Sequence, residues 1–146
     1  MVRRLNTPEM TDAVTKVWAN RVAGIKFIGP ADVGFLIKSW ARMMEQGFGK
    51  AYGSFQHDAP KAFFLGMIVP DLYTGSLCGF EHTWMTEPGG EALDLLRMFE
   101  KDCKAAGCGY VVSGLSHLSD VPPEKLRRVY KARGYAPYGE AFYRKI

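Results

Sequence analysis

The chain has 146 residues, 47% of them hydrophobic, and a formal net charge of +4. That length suits one domain, 1–146, with a real core and is short for two. Its nineteen Lys and Arg are scattered rather than blocked, which argues for an acidic small ligand and against a nucleic-acid partner. Cys78, Cys103 and Cys108 are odd in number and form no C-x-x-C pair, so the composition points to a reducing cytoplasm. With His57, His82 and His117 they are too dispersed for zinc spacing, and no metal is expected. The opening "MVRRLNTPEM" lacks an apolar signal core, and no run reaches the ~18 apolar residues of a spanning helix. A soluble, cytoplasmic protein with no membrane partner is the expectation.

In chain order, "VRRL" reads as a first strand. Thr7 as N-cap and Pro8 at the first helical position then open a helix with Met10, Val14, Val17 and Trp18 at helical spacing. A second helix starts near Pro30 and presents Val33, Leu36, Ile37, Trp40 and Met44 before Gly47 ends it. Trp18 and Trp40 read as core anchors. The segments "AYGSFQH", "KAFFLGMIV" and "SLCGFEHTWM", rich in aromatic and branched residues, predict three antiparallel strands joined by turns. Strict alternation in the third places Cys78, Phe80, His82 and Trp84 on one face, and Glu81 with Met85 on the other. A third helix follows, with Ala92, Leu96, Phe99, Cys103 and Ala106 on one stripe, which makes Cys103 a core residue rather than a nucleophile. Then come a buried-type strand "GYVVSGL", a loop "SHLSDVPP", a short helix "EKLRRVYKARG" and a terminal strand-like "AFYRKI". The strand, helix, strand crossover makes the strands near 77–86 and 109–115 parallel, so the sheet is mixed but mostly antiparallel.

Gly89 and Gly90 stand between a strand and a helix, where main-chain N–H groups and the helix dipole suit a phosphate. The plainer reading is that they only make the turn. A dinucleotide-binding fold is excluded, because there is no G-x-G-x-x-G and no repeated strand and helix alternation. A P-loop is excluded for want of the Gly-Lys-Ser/Thr ending.

Three segments resemble the GNAT superfamily of acetyl-CoA-dependent N-acetyltransferases, across nearly the whole chain. In "HTWMTEPGGEALDLL", Glu87, Gly90 and Ala92 occupy the places of the family's loop pattern of Arg or Gln, two residues, Gly, one residue, then Gly or Ala. "YKARGY" is similar to the family's Tyr, three residues, Gly, aromatic, as Tyr130, Gly134 and Tyr135, and "AFYRKI" is similar to its closing strand. The loop and the compact helix after it also resemble acetyltransferase-like proteins of bacteriophages and prophages. The sequence departs from the family at Glu87, where Arg or Gln is usual, and at Pro123, where an Asn is frequent.

The resemblance implies an α/β (α+β) fold, a twisted, mostly antiparallel mixed sheet flanked by about four helices. It implies acetyl-CoA as cosubstrate, with the pyrophosphate on the amides of Gly89, Gly90, Glu91 and Ala92, and the pantetheine arm along Trp84, Met85 and Thr86. Tyr130 takes the place of the acid beside the coenzyme sulfur. For the base, Glu81 on the fourth strand and His117 after the fifth stand level, the latter for its ordinary pKa of ~6.5; His82 reads as a packed or exposed residue. Arg127, Arg128, Lys131 and Arg133 make a basic helix face, solvated or set to receive the coenzyme 3'-phosphate. The acceptor is a small-molecule or protein amine, and a homodimer is compatible with this reading. The rival reading is a non-catalytic module of the same fold, a phage particle component or a host-directed regulator.

Overall fold

The computed structural model describes residues 1–25, 27, 29–114, 121–139, 142 and 144–146. Its elements are β1 (Val2–Arg4), α1 (Thr7–Arg21), α2 (Val33–Glu45), β2 (Gly49–Gln56), β3 (Ala59–Pro70), β4 (Leu77–Thr86), α3 (Ala92–Ala105), β5 (Val111–Val112) and α4 (Pro123–Ala132), with a 3-10 turn at Val22–Gly24. The strands form one sheet in sequence order, antiparallel from β1 to β4 and parallel between β4 and β5.

Local chemistry sets the helix starts slightly away from the sequence expectation. Asn6, not Thr7, caps α1: its Oδ1 accepts from the Glu9 amide at 2.9 Å, and the Glu9 carboxylate accepts from the Asn6 amide at 2.9 Å. Likewise α2 begins not at Pro30 but at Val33, where Asp32 accepts from the Phe35 amide at 2.9 Å. The "AFYRKI" strand is not borne out where it is described, since Phe142 and Arg144–Ile146 carry no strand; Ala141 and Tyr143 lie outside the described residues.

Alternation along β3 divides the core in two. Phe63 and Leu65 join Met10, Ala13, Val14, Val17 and Trp40 beneath α1 and α2. Ala62 and Phe64 join Leu95, Leu96, Phe99, Cys103, Leu126 and Tyr130 beneath α3 and α4. Each large apolar side chain buried this way stabilises the fold by about 1.5–3 kcal/mol. Helix α3 lies close on β4 because Gly79 has no side chain: a Cβ there would stand 2.4 Å from Cys103 Sγ.

Strand β4 does not keep the strict alternation predicted for it. Leu65 pairs with Thr83 while the next residue, Gly66, pairs with Glu81, so His82 is an extra residue in a bulge. Trp84 therefore belongs to the α3/α4 side, where Glu81 meets Tyr130, and Met85 belongs to the α1/α2 core. Glu81 and Met85 do not share a face, and His82, stacked on Trp40, is separated from Trp84.

Candidate active site

Strand β5 pairs with β4 only at Gly79 and Phe80. Beyond Phe80 the two strands part, and Glu81 is the first residue of β4 past the last pair. The Tyr130 hydroxyl of α4 donates to Glu81 Oε2 at 2.8 Å and lies 3.4 Å from the Gly114 carbonyl oxygen. Two residues 49 apart in sequence thus meet where the sheet opens. A cleft of about 250 Å³ reaches the same point from the α1/α2 face, with Glu81, His82 and Gly114 in its lining.

Burial lifts the Glu81 carboxyl from 4.5 to about 7, and the hydrogen bond from Tyr130 opposes the rise. Burial, then the Glu81 charge, pushes the Tyr130 phenol well above its ordinary value, so it stays protonated. A carboxyl that titrates near neutrality can accept a proton, and a neutral phenol beside it can give one. Ser113 Oγ is buried nearby, and its hydroxyl also favours the ionised Glu81. His82 stacks on Trp40 at 5.1 Å and 12°, and desolvation lowers its pKa, leaving a neutral imidazole. His117, the other candidate base, lies outside the described residues.

The glycine turn has intrinsic structural work. Gly89 has φ of +86°, in the left-handed region that favours glycine. Gly90 packs so tightly that a Cβ would lie 2.4 Å from Thr86 Oγ1 and 2.8 Å from the Lys61 carbonyl oxygen. Two of the four amides assigned to the phosphate already have partners: the Gly90 N–H donates to the Glu87 carbonyl at 2.9 Å, and the Glu91 N–H to Ser54 Oγ at 3.0 Å. The amides of Gly89 and Ala92 remain as the loop's candidates, and α3 begins with no side-chain cap. Glu87 is tied down by Lys61 at 3.1 Å and by the Asn20 amide. These two hydrogen bonds, that of Asn20 first, hold its carboxyl below the usual range. Glu91 accepts from Ser54 Oγ and the Met1 amine.

Trp84, Met85 and Thr86 pair through β3 with Phe64, Phe63 and Ala62, while the strand edge away from β3 has no strand partner here among the described residues. Arg127 of α4 pairs with Glu124, and Arg133, which caps the end of α4, pairs with Glu100. Trp18, expected as a core anchor, packs half-buried against the α1/α2 core; it also stacks on Phe27 at 5.4 Å and lines the cleft. The signal was the aromatic pair at positions 18 and 27, but the turn between them hid that the rings meet. Among the described residues no group of three His, Cys, Asp or Glu could hold a metal ion, and no helix is long and apolar enough to cross a membrane.

A mixed sheet that opens between its fourth and fifth strands, with a turn leading from β4 into α3, defines the GNAT acetyltransferase fold. Solved structures share it over nearly their whole length. A ribosomal-protein-alanine N-acetyltransferase from Brucella melitensis biovar Abortus 2308 matches with TM-score 0.71 and 13% identity, covering 100% of this chain and 98% of that one. A predicted acetyltransferase from Clostridium acetobutylicum, solved with acetyl-CoA, matches with TM-score 0.75 and 14% identity over 99% and 95%. An aminoglycoside acetyltransferase from an uncultured soil metagenomic sample matches with TM-score 0.71 and 10% identity over 100% and 95%. No family model and no curated protein matches the chain.

Proposed function

We propose that this protein is an acetyl-CoA-dependent N-acetyltransferase acting on a primary amine by direct attack. The observation that carries the reading is the Glu81–Tyr130 pair at the parting of β4 and β5, at 2.8 Å, where the cleft also arrives. The open edge of β4 and the uncapped start of α3 fit a pantetheine arm and a phosphate. Bound acetyl-CoA supplies a thioester carbonyl and a thiolate leaving group. The acceptor first releases its ammonium proton to solvent, and Glu81 then takes a proton from the attacking nitrogen as its C–N bond forms. Tyr130 gives its hydroxyl proton to sulfur as the C–S bond breaks, and the newly protonated Glu81 returns a proton to the phenolate. The chain ends the cycle as it began.

The engaged amides of Gly90 and Glu91 and the carboxylate of Glu87 favour a second reading, a non-catalytic module of the same fold. One experiment separates the two. A ligand at a hundred times its Kd stabilises the native state by about 2.7 kcal/mol, or about 5–11 °C for a chain of this size. Acetyl-CoA should raise the melting temperature accordingly, and an amine panel should release free thiol. A melting temperature indifferent to millimolar acetyl-CoA, with no thiol released, refutes catalysis.

A further inference from the structure

The walls of the cleft identify the kind of amine. A volume of about 250 Å³ lies just below the range of pockets that hold drug-sized ligands, roughly 300–1,000 Å³. On one side Trp18 and Phe27 stack with an interplanar angle of 28°, and Leu36 and Met85 extend that apolar surface. Among the described residues the acidic groups are Glu81 and, at the rim, Asp32, whose Oδ1 is already used to cap α2. His82 contributes a neutral ring, because desolvation lowers its pKa. Among the described residues lining the cleft there is no lysine or arginine.

An ammonium group entering this space meets a carboxylate, whereas a carboxylate entering it meets Glu81 with no compensating cation among the described residues. Each additional ammonium of a longer polyamine would lie against rings and aliphatic side chains, with the rim Asp32 alone among the described residues to pair it. A sugar's many hydroxyls would lose water for few partners. A ring or compact hydrocarbon, in contrast, is matched along its whole length by Trp18, Phe27, Leu36 and Met85.

We infer that the acceptor is a compact primary amine on an apolar, preferably aromatic, body without a carboxylate, its ring against Trp18 and Phe27 and its nitrogen at Glu81. This rests on the acetyl-transfer reading and goes beyond it by naming the substrate class.

The test uses the full chain with acetyl-CoA and measures thiol release for 2-phenylethylamine, phenylalanine, spermidine, an aminoglycoside and a lysine-containing peptide. Calorimetry of 2-phenylethylamine binding, with and without coenzyme A, runs in parallel. The expected kcat/KM for 2-phenylethylamine exceeds that for spermidine by at least about tenfold, the scale of lost apolar pocket contact. It exceeds that for phenylalanine by about a hundredfold, since the added carboxylate faces Glu81. Trp18→Ala should raise KM for 2-phenylethylamine about tenfold while coenzyme A still stabilises the variant. Leu36→Glu, at a half-buried position, gives the same readout if the Trp18 variant fails to fold. Preference for spermidine, the aminoglycoside or the peptide overturns the inference and leaves acetyl transfer standing. If acetyl transfer itself fails, calorimetry decides: 2-phenylethylamine binding that Leu36→Glu abolishes upholds the apolar-amine site, and absence of binding overturns it.

Discussion

Replacing Glu81 by Gln keeps the side chain's shape and an oxygen for the Tyr130 hydroxyl, and removes only its ability to ionise. In the folded chain burial lifts the carboxyl from 4.5 to about 7. Below pH 4.5 the acid is protonated in both folded and unfolded states, so it costs nothing. Between 4.5 and about 7 the unfolded chain has released the proton while the folded chain still holds it, and folding becomes progressively less favourable. Above about 7 both states are ionised and the whole cost is present. At ~1.4 kcal/mol for each pH unit that cost is roughly 3 kcal/mol. The variant carries none of it. Urea denaturation of both proteins should therefore show the stability of Glu81→Gln relative to the wild type rising by roughly 3 kcal/mol from acid to about pH 8. In melting temperature this is about 6–12 °C. The same variant should lose the rise in kcat/KM through about pH 7 that the proposed mechanism requires of the wild type. A difference between the two proteins that stays constant over this pH range would refute the buried carboxyl, and with it the assignment of the base.

Tyr130→Phe should cut turnover by roughly 100-fold or more while stabilisation by coenzyme A persists. Because the lost hydrogen bond favours ionised Glu81, the acidic limb of the pH–rate profile should move to higher pH; an unmoved limb and unchanged turnover would make Tyr130 a packing residue. Gly90→Ala should destabilise by about 1–3 kcal/mol, because the added Cβ lands 2.8 Å from a backbone carbonyl oxygen; a denaturation midpoint equal to wild type would contradict the described turn. Lys61→Met should cost about 1 kcal/mol at neutral pH by removing the ion pair to Glu87 while the hydrogen bond from Asn20 remains. Since the folded Glu87 carboxyl lies below its ordinary 4.5, that deficit should fade as acidification protonates it, which denaturation curves at two pH values would show.

What was legible in the sequence is what short-range chemistry decides. The periodicity of Met10, Val14 and Val17, and of Leu96, Phe99 and Cys103, is a property of single helices, and it marked the faces that meet the sheet. The strand, helix, strand order made β4 and β5 parallel, as they are. The quoted motifs at residues 87–92 and 130–135 led to the observed fold because turn and helix-end requirements are written locally. Only the tertiary structure decided the site. The bulge at His82 exists because β3 pairs with β4 in two registers, a relation between strands that no single segment encodes, and it determines which way Glu81 and Trp84 point. The raised pKa of Glu81 depends on what surrounds it after folding, including Tyr130 from 49 residues away. Likewise Lys61 neutralises Glu87, and the carbonyl oxygen of Lys61 explains why residue 90 has no side chain, though nothing in the segment around Gly90 mentions β3. Local sequence specifies elements through nearby sterics and hydrogen bonds, whereas charge states and cleft walls arise from contacts between distant segments, which come into being only when the chain packs.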